Sequence, residues 1–194
     1  MGLFNPVWMS ENSEKRIKYV ESKSNQDILK KIASCAQHKD VRIAALCKVT
    51  DDSFLAQFTN SIGDEDLALC AVNAIKIKSV AVELALNAQS DCAVRACGIY
   101  LRKRGNQQIF KNIALNAKSR RLVAAAIQEL EDEEALVEIM LKDDIYADDC
   151  NLSLAALKRI EALHPHRVVD AYAYALDEKV REEAEKYLSC KELF

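Results

Sequence analysis

The chain has 194 residues, half of them hydrophobic, and a formal net charge of −3. Only four Gly and two Pro occur, too few for the turns of an all-β sandwich or for a dinucleotide-binding loop. Charged residues interrupt every run that approaches the ~18 apolar residues of a membrane helix, so we expect no membrane contact. The composition predicts an all-α protein. The seven cysteines lack CxxC spacing and no secretory signal opens the chain, so we expect packing thiols in the cytoplasm.

Residues 1–13 are predicted to form an N-terminal apolar arm. Its large apolar side chains are Leu3, Phe4, Val7, Trp8 and Met9. We favour an arm that folds over the first repeat and shields its core. The alternative is a docking element for a partner or for a second copy of the chain.

Residues 14–176 are predicted to form helical repeats, because two patterns alternate along them. The first, helix A, has its template at residues 40–49 and places an apolar anchor every 26 to 30 residues, at Leu46, Val72, Ile99, Ile127 and Leu157. The second, helix B, has apolar residues at i, i+1, i+4 and i+5, which lie on one helical face. Its first positions are Ile28, Phe54, Val80, Ile109, Ala135 and Val168.

Residues at the expected joints support these boundaries. We expect aspartates to cap the starts of the A helices, Gly105 to end one and Pro165 to precede the last B helix. The candidate capping residues are Asp40, Asp66, Asp91 and Asp149. Basic residues that follow the valine of the helix A pattern are expected to bridge to acids of neighbouring repeats. They are Arg42, Arg95 and Arg181.

Residues 177–194 are predicted to form a C-terminal capping helix. The anchor position there becomes Glu185, and charged residues surround it. An exposed terminal repeat needs such a polar outer face.

The Val-Arg-x-Ala-Ala-Leu pattern of residues 41–46 and the Leu-x-x-Ile-Ala pattern of residues 29–33 resemble the short HEAT-like repeats of bacterial proteins, the group that includes phycobilisome-lyase-type repeats. The resemblance extends over residues 14–190. It implies a right-handed α-solenoid, an α-α superhelix, of about six two-helix repeats in a single domain, residues 1–194. It does not imply an activity.

Residues that could carry catalysis are sparse. His164 and His166 could bind a metal with help from a carboxylate, but the sequence does not place a third ligand. No GxSxG, P-loop or HExxH motif occurs. We therefore expect no enzyme activity, no catalytic residues, no metal and no cofactor.

The charges are unevenly distributed. Residues 92–128 contain no Asp or Glu but eight basic residues, whereas residues 129–149 carry ten acids and only Lys142. The basic block 95–121 suggests a nucleic-acid-binding or DNA-glycosylase-like HEAT protein as an alternative. Arg95 and the basic residues 102–104 would however lie about 11 to 14 Å apart along one helix. We therefore do not favour nucleic-acid binding.

Position i+6 of helix B should point away from the core, yet in the last four B helices this residue is apolar. The six residues in chain order are Ser34, Asn60, Leu86, Leu115, Leu141 and Tyr174. Because the resemblance places B helices on the concave side, this column predicts an apolar strip with polar margins. In the alternative, the helices end before i+6 and these leucines tuck under the next turn. The predicted partner-binding residues are Gln57, Glu83, Leu86, Lys111, Asn112, Leu115, Glu138, Leu141 and Tyr174.

The patterns together predict a non-enzymatic protein–protein interaction scaffold that binds a protein or peptide on its concave B-helix face. We expect a monomer or weak homodimer. A lyase or another enzyme-accessory repeat protein is a further alternative, besides the nucleic-acid-binding one.

Overall fold

The computed structural model describes Val7, Ser10, residues 12–142 and residues 151–190. Of the predicted arm, the described residues are Val7, Ser10, Asn12 and Ser13. Residues 143–149 of the acidic segment, which include Asp149, lie outside the described residues. The described residues form thirteen α-helices and one short 3-10 helix, and they contain no strand. The all-α prediction is confirmed. The helices are α1 (Ser13–Glu21), α2 (Gln26–Cys35), α3 (Lys39–Leu46), α4 (Asp52–Ser61), α5 (Glu65–Ala74), α6 (Lys78–Asn87), α7 (Asp91–Arg104), α8 (Gln107–Asn116), α9 (Arg120–Glu129), α10 (Glu133–Leu141), α11 (Leu152–Leu163), α12 (Val168–Tyr174) and α13 (Glu178–Cys190).

The chain divides into two compact units, unit 1 (Met1–Tyr100) and unit 2 (Leu101–Phe194), with the division inside α7. Helices A of the sequence pattern are odd-numbered and helices B are even-numbered. In unit 1, α1 packs on α3, α3 on α5 and α4 on α6; in unit 2, α9 packs on α11, α11 on α13, α8 on α10 and α10 on α12. Each unit therefore has a layer of odd helices and a layer of even helices, as expected for helical repeats. Across the described residues, no helix has both the length and the apolar character needed to cross a bilayer.

The core face of the even helices follows the predicted period in five of six cases. In α2, Leu29, Ile32 and Ala33 are buried, whereas Ile28 at the first position of the pattern is 39% exposed. The same three positions, i+1, i+4 and i+5, are buried in α6, α8 and α10. Because these helices are only nine or ten residues long, one such face supplies most of the apolar contact of each.

The last even helix, α12, departs from the prediction by one position. Val168 and Ala171 are buried, but Val169 and Tyr172 are 52% and 43% exposed. The expectation that Val169 and Tyr172 face the core is therefore wrong. The sequence of α12 has two overlapping apolar faces. Packing selects the face that contains the small Ala171, which lets α10 and α13 pack closely against α12.

The N-caps of α3 and α5 lie two residues before the predicted aspartates, at His38 and Asp64, and that of α11 lies two residues after Asp149, at Asn151. Asp64 accepts from the backbone N–H of Leu67 at 3.0 Å, and Asn151 accepts from that of Leu154 at 2.7 Å. Asp40, Asp66 and Asp91 instead lie in the first turns of α3, α5 and α7, where a carboxylate still complements the helix dipole. Four of the six even helices, α2, α4, α8 and α10, are capped in the same way, by Asn25, Asp51, Asn106 and Asp132, whereas α6 and α12 have no side-chain cap.

Gly105 follows α7 as predicted, and close packing explains why a glycine stands there. A Cβ at this position would lie 2.5 Å from the carbonyl oxygen of Leu101 and 2.6 Å from the ring of Phe110. Pro165 also matches its predicted place, because it begins the 3-10 helix Pro165–Arg167 directly before α12.

Residues 25–61 and 106–142 repeat the same structure at an interval of 81 positions. α2 begins at Gln26 and α8 at Gln107, and each glutamine bridges the loop that enters the next even helix. Gln26 donates to the carbonyl of Lys48 at 3.3 Å and accepts from the N–H of Thr50 at 2.9 Å. Gln107 makes the matching bonds to Glu129 and Glu131, at 3.0 and 2.8 Å.

Candidate interaction surface

The predicted site residues of unit 1 lie on α4 and α6. Gln57 and Glu83 are exposed, whereas Leu86 is half-buried. Ser34 and Asn60, the polar members of the same column, are exposed. The even helices of unit 1 thus present a mainly polar surface at these positions.

The predicted site residues of unit 2 lie on α8, α10 and α12. Asn112 is half-buried, and the side chain of Lys111 donates to both carboxylate oxygens of Asp132 at 3.0 Å. Lys30 and Asp51 form the equivalent ion pair of unit 1 at 2.5 Å. Glu138 is exposed and pairs with Lys142 at 2.9 Å. Lys111 therefore has a structural partner, and Glu138 stays at the surface.

The leucine column is intermediate between the two sequence-based interpretations. α6, α8 and α10 all extend to the i+6 position, so the helices do not end before Leu86, Leu115 and Leu141. All three side chains are nevertheless half-buried. Tyr174, by contrast, is 70% exposed at the end of α12.

Among the described residues of unit 2, four of the five large exposed apolar side chains lie on α12 or just after it. Besides Tyr174, this α12 surface comprises Val169, Tyr172 and Leu176, which is 65% exposed. Val169 and Tyr172 are three residues apart and share one helical face. Sequence reasoning missed Val169, Tyr172 and Leu176. The available signal was the presence of two overlapping apolar patterns on one short helix.

A group of charged side chains holds the start of α12 against α10. Arg167 donates to Glu133 at 2.6 Å, to Glu134 at 3.0 Å and to Asp170 at 2.5 Å. The hydrogen bond from Arg167 is the main cause that lowers the pKa of Glu133, and the nearby His166 and His164 add to it. The hydrogen bonds that Arg167 donates to Asp170, Glu133 and Glu134 raise the pKa of Arg167. Both groups therefore remain ionised at neutral pH.

The two histidines next to Pro165 belong to this group. The ring nitrogens His164 Nδ1 and His166 Nε2 each lie 3.4 Å from a carboxylate oxygen of Glu133. The guanidinium of Arg167 occupies the same carboxylate, and its positive charge opposes a cation there. No group of three or more His, Cys, Asp or Glu side chains in the described part of the chain could hold a metal ion.

Asp52 of unit 1 and Glu133 of unit 2 stand at equivalent positions, and each joins two even helices. The two residues lie 81 positions apart, and each is the first residue of its helix, α4 or α10. The buried carboxylate of Asp52 accepts from the backbone N–H groups of Lys76 and Ile77 at 3.2 and 2.6 Å. In both units a carboxylate therefore joins one even helix to the start of the next.

The odd layer of unit 2 ends differently from the even layer. On α13, Glu185 stands where the other A helices have their apolar anchor. It is exposed, as are its charged neighbours Arg181, Glu182 and Lys186. The last odd helix therefore has a polar outer face, whereas the last even helix, α12, has an apolar one.

Basic residues of the A helices have mixed partners. Arg95 pairs with Glu65 at 3.1 Å, as predicted for a bridge to a neighbouring repeat. Arg42 and Arg181 instead donate to the backbone carbonyls of Ala33 and Ala175, at 2.7 and 2.8 Å. The prediction of acid partners is wrong for these two, because an arginine at this position reaches the unpaired carbonyls at the end of the preceding even helix.

Comparison of the chain with known protein families, with curated proteins and with solved structures gave no match. Its function is therefore inferred from its own geometry.

Proposed function

We propose that the protein is a non-enzymatic interaction module of the HEAT-like type, in which the α12 surface of unit 2 binds a protein partner. The observation that carries the proposal is the exposure of Val169, Tyr172, Tyr174 and Leu176 on and after one helix. Apolar clusters at a surface often mark interaction sites, and tyrosine is enriched among the residues that dominate binding energy.

The α12 surface is also preformed. Arg167, Glu133 and Asp170 hold the start of the helix, and Val168 and Ala171 pack its other side into the core. A surface that is already ordered loses little conformational entropy when a partner binds. This favours a binding role over an accidental exposure.

The remaining predicted residues form the margins of the proposed surface. In unit 2 these are Lys111, Asn112, Leu115, Glu138 and Leu141. We propose a corresponding, more polar contact area in unit 1 at Gln57, Glu83 and Leu86. The half-burial of the leucines makes α12, rather than the leucine column, the main contact. We also propose that the protein works in the cytoplasm.

The test is affinity purification from the native cell with the wild-type chain and with a Tyr172→Ser/Tyr174→Ser double variant. A partner that copurifies with the wild type should be lost or weakened at least tenfold in the variant, while the melting temperature stays nearly unchanged. Ile77→Ser is the matched control, because Ile77 is an exposed apolar residue of unit 1. Equal recovery of the partner with the double variant would contradict the proposal.

Nucleic-acid binding is the second candidate, supported by the exposure of Arg102, Lys103 and Arg104 in the last turn of α7. Arg95 of the same basic block faces Glu65, which reduces the positive charge available to a phosphate backbone. Binding of fluorescent DNA and RNA measured by anisotropy at about 50 mM salt separates the two candidates, because phosphate contacts are strongest at low salt. No binding there removes this second candidate.

A further inference from the structure

Two cysteines of unit 1 lie in contact. Cys47 is the residue that ends α3, and Cys70 lies within α5, which packs against α3. Their Sγ atoms are 3.8 Å apart. A disulfide has an S–S distance of about 2.05 Å, so the two sulfurs need to move together by less than 2 Å, roughly the range of a side-chain rotation. Cys47 is exposed and lies just beyond the last helical residue of α3.

The two thiols differ in accessibility. Cys47 is exposed, whereas Cys70 is half-buried. Burial, together with the neighbouring Cys47, raises the pKa of Cys70 to about 12. Cys47 is therefore the sulfur that a reagent in solution reaches first. Cys97 of the same unit is fully buried and fits the role of a packing thiol.

We propose that Cys47 and Cys70 form a thiol-modification site that a small disulfide, such as oxidised glutathione, converts to an intramolecular disulfide. The Cys47 thiolate attacks one sulfur of the small disulfide, forms a mixed disulfide and releases the first small thiolate. The Cys70 sulfur then loses its proton to water or buffer and attacks Cys47 Sγ, and the second small thiolate leaves. The two cysteines together lose two electrons and two protons, and the small disulfide is reduced to two thiols.

Proximity favours the second step, because the Cys70 sulfur lies 3.8 Å from the Cys47 sulfur that it attacks. The new bond joins α3 to α5 and closes a loop that contains the whole of α4, which restricts the unfolded chain.

The test is oxidation of the full chain with oxidised glutathione, followed by acid quenching, alkylation of the remaining thiols and mass spectrometry. The expected product contains a linked Cys47–Cys70 peptide pair that has lost two hydrogens and carries neither an alkyl group nor glutathione on either residue. Its melting temperature should rise relative to the reduced chain. A wild-type product that keeps glutathione on Cys47, or that keeps both thiols alkylatable, overturns the proposal.

Three variants sharpen this test. Cys70→Ser removes the second nucleophile, so glutathione should stay on Cys47. Cys47→Ser removes the accessible thiol, so Cys70 should react at least tenfold more slowly than Cys47 does in the wild type. Cys35→Ser removes another exposed cysteine and should form the internal disulfide like the wild type. Circular dichroism of each variant shows that it is folded. Linkage of Cys47 to Cys35 in place of Cys70 also overturns the proposal.

Discussion

Gly105 is a position where a side chain does not fit. The carbonyl of Leu101 and the ring of Phe110 leave no space for a Cβ. Gly105 also donates its N–H to the same carbonyl at 2.6 Å, so the backbone cannot move away without losing this hydrogen bond. The glycine thus lets α7 end directly against α8.

Gly105→Ala should therefore lower the free energy of unfolding by about 1 to 3 kcal/mol, the usual cost of overpacking. Urea denaturation measures this change. Gly63→Ala is the matched control, since a Cβ on Gly63 would meet none of the described atoms within 4 Å. Equal stability of the two variants would show that Phe110 can move aside at little cost.

Glu133 is the residue through which pH should act on α12. Its pKa is lowered, mainly by the hydrogen bond from Arg167, so its ionised form stabilises the folded state. This contribution is present above the ordinary pKa of 4.5 and is lost as the pH falls through the lower pKa of the folded state. Arg167, His164 and His166 are the charged or titratable groups that face it from the start of α12.

Glu133→Gln is accordingly expected to destabilise the protein at pH 7, and the difference from the wild type should close as the pH falls below 4.5. The measurement is the urea midpoint as a function of pH. Glu131→Gln changes an exposed glutamate two residues before Glu133 and should leave the pH dependence nearly unchanged. A pH-independent gap for Glu133→Gln would mean that its charge does not stabilise the fold.

At the scale of the elements, α12 shows how one short helix can carry two apolar faces. Val168 is fully buried, and its neighbour Val169 is half-exposed. The two faces meet different needs, because one completes the core and the other forms the proposed interaction surface. The register of this helix therefore decides which side chains a partner can reach.

A pair of adjacent substitutions tests this register. Val168→Ala removes two buried methyl groups and should cost about 1.5 to 2.5 kcal/mol, from lost burial and the remaining cavity. Val169→Ala should cost less than about 0.5 kcal/mol, as is usual at a surface. Thermal or urea denaturation separates them. The opposite ranking would restore the register predicted from the sequence, with Val169 facing the core.

At the scale of the whole molecule, the two units share a set of contacts repeated after 81 positions. Gln26 and Gln107 bridge equivalent loops, and the pairs Lys30–Asp51 and Lys111–Asp132 join equivalent helices. The units differ where function is proposed, because the α12 surface belongs to unit 2 and the Cys47–Cys70 pair to unit 1.

Removal of equivalent contacts in the two units should lower the free energy of unfolding by similar amounts. Gln26→Ala and Gln107→Ala each remove a donor and an acceptor from a loop, and each should lower stability by about 0.5 to 1.5 kcal/mol. The two glutamines share no hydrogen-bond partner, so the double variant should show the sum of the single effects to within about 0.5 kcal/mol. Urea denaturation of the three variants checks this. A large effect of only one substitution would mean that the two bridges are not equivalent.

The sequence by itself determined the all-α class, the alternation of helices A and B and the core face of five of the six even helices. These features depend on local propensity and on a period of 3.6 residues, which neighbouring residues specify without long-range contacts. The places of Gly105 and Pro165 followed from the same local rules. Right-handedness, the number of repeats and the HEAT-like relationship stay predictions.

The tertiary structure decided what depends on residues distant in sequence. The register of α12 followed from which of two apolar faces fitted α10 and α13, and a pattern with both faces apolar cannot choose between them. The closeness of Glu133 to Arg167 and the two histidines, and of Cys47 to Cys70, came from the stacking of successive repeats. Such contacts join side chains more than twenty residues apart, and no local period encodes them.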